Sequence, residues 1–245
     1  MRLFSGWLAV VFLLYSAVMI PVLSLAVAAY ALFHSRRHTF RLFRVAIRWY
    51  GWGIIYLLPL GYFRVRFTDQ EPSQSIAGCV VAMNHRSSSD PFLVAALHGE
   101  TVQVVNIWPL RLPVLGFFAR AAGYLSIREM PTEEFLDSAA CLLSEGVAVV
   151  AFPEGTRSGS REIGPFHGTV FRLALQARVP IIPVCISGNE RIPAKGSLLF
   201  GPGVIRICKL PALQPASFEG WDAFHLKQHV RGQLAAGLAE LDAAG

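Results

Sequence analysis

The chain has 245 residues, 53% of them hydrophobic and 16% charged, with a formal charge of +6. That is enough apolar mass for a sizeable core; it excludes general disorder and argues against an ordinary soluble domain, where charged residues run near 25%. Four cysteines (Cys79, Cys141, Cys185, Cys208) without paired spacing argue against a disulfide scaffold and against a cysteine zinc site.

No charge interrupts the apolar run 3–33. It exceeds the roughly 20 residues that span a bilayer, and it is too long for the apolar part of a typical signal peptide. Pro21 lies near its middle. The run reads as one tilted or kinked transmembrane helix, or as a re-entrant pair broken at Pro21, with the single span preferred. Arg36, Arg37, Arg41, Arg44 and Arg48 follow at once. Residues 1–66 carry eight arginines and no acid, whereas the remaining 179 residues hold 14 basic and 16 acidic side chains. Basic charge beside the most apolar stretch favours an anionic membrane surface over nucleic acid as the partner. The positive-inside rule places the rest of the chain on the cytoplasmic side. A second apolar run, 49–63, is rich in Trp and Tyr and short for a crossing. It suits either an interfacial segment or a helix packed on the globular part.

Residues 61–68 alternate like a strand, and the polar stretch 69–78 separates the membrane part from the globular part. Strands are expected at 79–83, 101–105, 125–127, 147–152, 179–186 and 204–208. Helices are expected at 91–98, 112–122, 169–177 and 222–241, and another is capped by Thr132 and ended by Gly146. Alternating strands and helices predict an α/β fold, a mixed sheet flanked by helices and preceded by one or more N-terminal membrane helices. The expected division is 1–62 for the anchor and 63–245 for the globular domain.

Two polar loops follow apolar strands, where the sites of open α/β sheets gather. The first is Asn84-His85-Arg86-Ser87-Ser88-Ser89-Asp90. A histidine is a natural general base near neutral pH, and a carboxylate five residues on can turn back to fix its tautomer. Asp90 before Pro91 is equally a helix N-cap, and the two roles are compatible. None of the serines sits in a Gly-x-Ser-x-Gly elbow. The second loop, Phe152-Pro153-Glu154-Gly155-Thr156-Arg157-Ser158, offers a guanidinium for a phosphate and a glycine for close approach, or else a plain surface turn.

Taken together, these loops resemble the His-x4-Asp and Phe-Pro-Glu-Gly-Thr-Arg-Ser blocks of the glycerolipid acyltransferases, the 1-acylglycerol-3-phosphate acyltransferase (PlsC-like) family. Pro113, Gly116, Gly123 and Arg128 are similar to its second block, and residues 179–184 to its last, over roughly 63–210. The resemblance implies a transferase moving a fatty acyl group from an acyl thioester to the hydroxyl of a lysolipid of the lysophosphatidic acid type. His85 would be the general base and Asp90 its orienter, with no acyl-enzyme. Arg128 and Arg157 would bind the anionic head, with Glu154, Gly155 and Thr156 forming that substrate-binding pocket. No cofactor or metal is expected. Acyl carrier protein or coenzyme A would bring the acyl group, membrane lipids are partners, and nucleic acid is not. Arginine outnumbers lysine 19 to 3, a composition that suggests a bacterial source, hence an inner-membrane location with the catalytic domain facing the cytoplasm.

Two departures bear on the acceptor. Relatives often carry Lys and Glu before the second-block proline, where this chain has Asn106-Ile107-Trp108-Pro109. Relatives often have Phe-Lys-Lys-Gly after the third block, where this chain has Phe166-His167-Gly168. Both changes remove positive charge, so a less anionic acceptor (lyso-ornithine lipid or a specialised lipid) is the alternative. A lipid or thioester hydrolase and a non-catalytic scaffold are the other classes. His167 reads as a loop residue, and His225 and His229 as a solvated helix face.

Overall fold

The computed structural model describes residues 2–106, 113–158, 160–190, 192, 193, 197 and 200–243. The leading apolar run forms one unbroken helix, α1 (Arg2–Ala31), which passes through Pro21, so the re-entrant pair does not form. Gly6–Ala31 is long and apolar enough to cross a membrane. A short turn leads into α2 (Arg36–Trp52), followed by a π-turn at Gly53–Leu57. The second apolar run thus ends one helix and faces both ways: Gly53, Ile54 and Ile55 are buried, whereas Trp49, Tyr56, Leu57 and Leu60 are exposed.

Six strands follow: β1 (Phe63–Asp69), β2 (Val80–Met83), β3 (Thr101–Gln103), β4 (Ala148–Ala151), β5 (Ile181–Ser187) and β6 (Gly203–Lys209). They form one sheet in the order β1-β6-β5-β2-β4-β3. β3, β4, β2 and β5 run parallel, and β6 is antiparallel to β5 and parallel to β1. β2, β4 and β5 are buried at every residue, as parallel strands covered on both faces must be. The helices between and after them are α3 (Asp90–Leu93), α4 (Pro113–Ala121), α5 (Thr132–Ser144), α6 (Thr169–Ala177) and α7 (Ala223–Ala243).

The strand period of two splits the core. Val80 and Ala82 point to a layer of α5, α6 and α7 built on Phe135, Leu136, Phe171, Leu226 and Leu234. Val81 and Met83 point to the opposite layer, with Ile54, Ile55, Leu93 and Leu97. Each of these side chains larger than alanine contributes about 1.5–3 kcal/mol on burial.

Several local expectations shift. Residues 91–98 form only the short α3 and a 3-10 turn, Val94–Ala96. Residues 125–127 make no strand, only the bridge between Leu125 and Val104. Thr132 is the first residue of α5 and makes no cap; Pro131 stands at the cap position. Leu112 and residues 107–109 lie outside the described residues.

α1 and α2 are fastened to each other and to the sheet domain. The Tyr15 and Tyr50 rings stack at 5.5 Å, and the Tyr15 hydroxyl donates to the Tyr50 carbonyl at 3.1 Å. Gly53 makes room for this contact, since a Cβ there would sit 2.1 Å from the Tyr15 hydroxyl and displace the ring. Phe12 meets Phe92 and Phe200 at 6.5 and 6.2 Å. The buried Arg44 bonds Glu100 at 2.6–2.7 Å and the Ala122 carbonyl at 3.2 Å. Arg37 and Arg41 reach Glu145 and Glu100 at 3.5 and 3.4 Å. Part of the arginine-rich segment therefore anchors α2 to the globular body. The outer side of α1 leaves Leu13, Leu14, Val18, Val22 and Leu25 exposed, an apolar surface for membrane association.

Candidate active site

Because β2, β4 and β5 run parallel, the loops at their carboxyl ends gather at one edge of the sheet. These are the loop through His85, the loop through Arg157 and the turn through Asn189. Asn84 sets the first loop in place: its amide donates to the Ile186 carbonyl at 2.9 Å and accepts from the Ile186 N–H at 2.7 Å.

His85 and Asp90 converge. Nδ1 of His85 lies 2.6 Å from Oδ2 of Asp90, whose carboxylate is fully buried. The same oxygen accepts the backbone N–H groups of Arg86 at 2.8 Å and Ser87 at 2.9 Å. The other oxygen accepts from the Asn189 side chain. The loop is thus wound around one carboxylate, and Asp90 does not cap α3; Ser89 stands at that position and makes no side-chain cap either. With Nδ1 engaged by Asp90, Nε2 is the ring nitrogen left for the adjoining cavity, which His85 lines. The ring packs against Phe152, centroids 4.7 Å apart.

The two loops are joined by Glu154. Its oxygens accept the His85 N–H at 2.6 Å and the Gly164 N–H at 2.9 Å. Burial pushes the Glu154 carboxyl up, against the downward pull of those hydrogen bonds. Glu154 therefore shapes the site from behind the wall, whereas Gly155, Thr156, Arg157 and Arg128 line the cavity itself. Ser158 closes the junction, its N–H donating to the His85 carbonyl at 2.9 Å. Gly155 has φ +67°, and a Cβ there would meet the His167 ring at 2.9–3.0 Å. His167 is a loop residue and also faces the cavity.

The cavity measures about 1430 Å³ and runs from this polar end to an apolar wall that includes Phe12, Ile20, Leu23 and Val27 of α1. Residues 179–184 stay out of it; Ile181, Ile182 and Val184 are core. Among the described residues, no hydrogen bond joins a serine hydroxyl to His85, and no group of three acids, histidines or cysteines is placed to hold a metal. His225 is exposed and bonds Asp222 at 2.8 Å. The arrangement supplies a base, an orienting acid, two guanidinium groups and an apolar channel. That is the equipment for deprotonating an alcohol at the head of an amphiphile.

Sequence reasoning missed three partners, Asn189, Glu190 and Asp242, and the use made of Arg86. Arg86 is buried and bonds Glu190, Asp242 and the Arg161 carbonyl. Burial opposes its charge, but Asp242 and Glu190 more than restore it, so its acidity is weaker than usual. An arginine inside a polar loop gave no sequence signal that it points inward.

A model of the Acyltransferase family matches residues 64–187. The 1-acyl-sn-glycerol-3-phosphate acyltransferase of Limnanthes alba is 26% identical over 208 residues, covering 74% of this chain and 73% of that one. The human alpha enzyme of the same name is 29% identical over 171 residues, 68% of this chain and 60% of its own. The chloroplastic enzyme BAT2 of Brassica napus is 28% identical over 149 residues, and this chain spans 43% of its length. Among solved structures, PlsC, the 1-acyl-sn-glycerophosphate acyltransferase of Thermotoga maritima, superposes with TM-score 0.81 over 98% of both chains at 22% identity, a likeness of fold.

Proposed function

The chain belongs to the acyltransferase family, and from that premise we propose that it transfers a fatty acyl group from an acyl thioester to the hydroxyl of a lysophospholipid-type acceptor. Nε2 of His85 takes the proton of the hydroxyl as its oxygen attacks the thioester carbonyl. Asp90 steadies the imidazolium that forms. Collapse of the tetrahedral adduct breaks the carbon–sulfur bond, and the proton passes from His85 to the departing thiolate. Arg157 and Arg128 receive the acceptor's anionic head, and Gly155 and Thr156 shape the floor between them. The observation that carries the reading is the 2.6 Å His85–Asp90 contact at the polar end of an apolar cavity.

Residues 1–62 act as the anchor and 63–245 as the catalytic part, working at the cytoplasmic face of a bacterial inner membrane. Acyl carrier protein or coenzyme A brings the acyl group. Where relatives often place lysine, His167 lines the cavity, which favours acceptors less anionic than a phosphate monoester. Reconstituted protein given labelled acyl thioester and a panel of lysolipids tests the whole reading. Acylated lipid is expected from the wild type and none from His85→Ala, with folding and membrane association intact. Free fatty acid in place of acylated lipid would make the protein a hydrolase. Transfer unchanged in His85→Ala would leave a scaffold with catalysis elsewhere.

A further inference from the structure

The polar cluster behind the loop extends away from the cavity to the far end of the chain. The Arg86 side chain leaves the loop on the side opposite the cavity and is 1% exposed. Its guanidinium grips Asp242, in the last turn of α7, through two parallel bonds of 2.9 and 2.8 Å. It bonds Glu190 at 2.8 Å and the Arg161 carbonyl at 2.5 Å. Asp242 is in turn held by the Ser187 hydroxyl at the end of β5. The Arg86 backbone N–H meanwhile donates to the oxygen of Asp90 that holds His85. A bonded chain therefore runs from Asp242 through Arg86 and Asp90 to the His85 ring.

We propose that Asp242 is a positioning residue for the His85 base, acting through its two-pronged grip on Arg86. The inference rests on the proposed function for its kinetics but not for its geometry. A bidentate pair fixes both position and plane of a guanidinium, which a single bond does not. Without it, Glu190 at one terminal nitrogen and the Arg161 carbonyl at the other hold the guanidinium by single, separate bonds, a looser grip than the fork. Loosening it lets the backbone at Arg86 and Ser87 drift, and the N–H groups of these two residues are two of the donors that aim the Asp90 oxygen at His85. A displacement on the order of 1 Å in a catalytic group lowers a rate by about 10²-fold.

The test compares Asp242→Asn, Asp242→Ala and Asp242→Glu with wild type in detergent or nanodiscs. Two readouts are used: steady-state kinetics, and the low-field proton resonance of the His85–Asp90 hydrogen bond. Asn and Ala should lower kcat by ten- to a hundredfold with both KM values unchanged, and should broaden or shift that resonance upfield. Glu should restore much of both, because it keeps the carboxylate fork. Asn keeps the size of Asp and guards against a variant that fails to fold; circular dichroism checks the fold. A wild-type resonance in folded Asp242→Asn would overturn the positioning role, whatever reaction the protein catalyses. A normal resonance with raised KM would overturn it equally. Altered resonance in a protein with no acyl transfer would uphold the linkage while rejecting the function.

Discussion

Replacing Asp90 by Asn separates the charge of this carboxylate from its structural duties. Asp90 accepts four hydrogen bonds and donates none. The amide oxygen of Asn can take over the three donors that now share Oδ2. The new NH2 group then faces the Asn189 amide. Oδ1 of Asn189 has no partner among the described residues, so half a turn of that amide supplies an acceptor. The fold should survive at a cost of about 1–2 kcal/mol, the difference between charge-assisted and neutral bonds. Asp90→Ala, by contrast, strands several buried donors at about 1–3 kcal/mol each and should not fold stably. Chemistry suffers more than structure in Asp90→Asn. The Nδ1 hydrogen still finds an oxygen, so the tautomer is kept, but the imidazolium loses its counter-charge. At an effective dielectric of about 20, unit charges about 4 Å apart interact by about 4 kcal/mol. At about 1.4 kcal/mol per decade, kcat should fall on the order of a thousandfold. Acyl transfer measured beside urea denaturation decides the matter. A kcat within about tenfold of wild type would refute the electrostatic role, and loss of the fold would refute the amide exchange.

The remaining predictions concern the cavity wall and the buried cluster. Arg157→Met should raise the acceptor KM by about ten- to a hundredfold, the worth of a charged hydrogen bond, while leaving kcat and the melting temperature nearly unchanged; titrating lysolipid at fixed thioester checks it. Gly155→Ala forces a side chain to φ +67° and into the His167 ring, so a melting experiment should register a loss of about 1–2 kcal/mol. Asp242 gives a pH dependence. Burial works to raise its carboxyl, but the bonds from Arg86 and Ser187 and the Arg86 charge bring it below the usual value of 3.8. A carboxyl depressed in the folded state adds stability that is complete above its unfolded pKa and is lost as pH falls through the folded one. Urea midpoints should therefore drop in the acid range below about pH 4 for wild type, and less steeply for Asp242→Asn.

The strand runs were legible because buried parallel strands are written as unbroken apolar stretches, and residues 80–83, 148–151 and 181–186 carry little else. Helix α6 was legible for its period, and its range, Thr169–Ala177, is the one expected. Short elements were not. Residues 91–98 hold seven helix-compatible side chains, yet Asp90 spends its carboxylate on the preceding loop, and the helix stops after Leu93. His85 and Asp90 could be paired from spacing, because the loop between them is local. Asn189 and Asp242 lie 99 and 156 residues away from their partners Asp90 and Arg86. Only the sheet order, which puts β5 beside β2, and the length of α7 bring them in. Spacing within a sequence does not encode such contacts.

On the proposed function, the size of the cavity and direct transfer without an acyl-enzyme belong to one argument. Sites for single small molecules usually enclose about 300–1,000 Å³. This cavity, at about 1430 Å³, is larger and is apolar for most of its length. A ping-pong enzyme stores the acyl group on a nucleophile and admits its substrates in turn, so one channel serves both. A direct transfer has no such store, and thioester and acceptor must occupy the site together. The helix pair supplies the added room. Without α1 and α2, the sheet domain would offer the polar end of the site with an open apolar face beyond it. With Phe12, Leu23 and Val27 laid across, that face becomes a wall. On the proposed function, the helix suited to the membrane is thereby also part of the chamber that receives lipid from it.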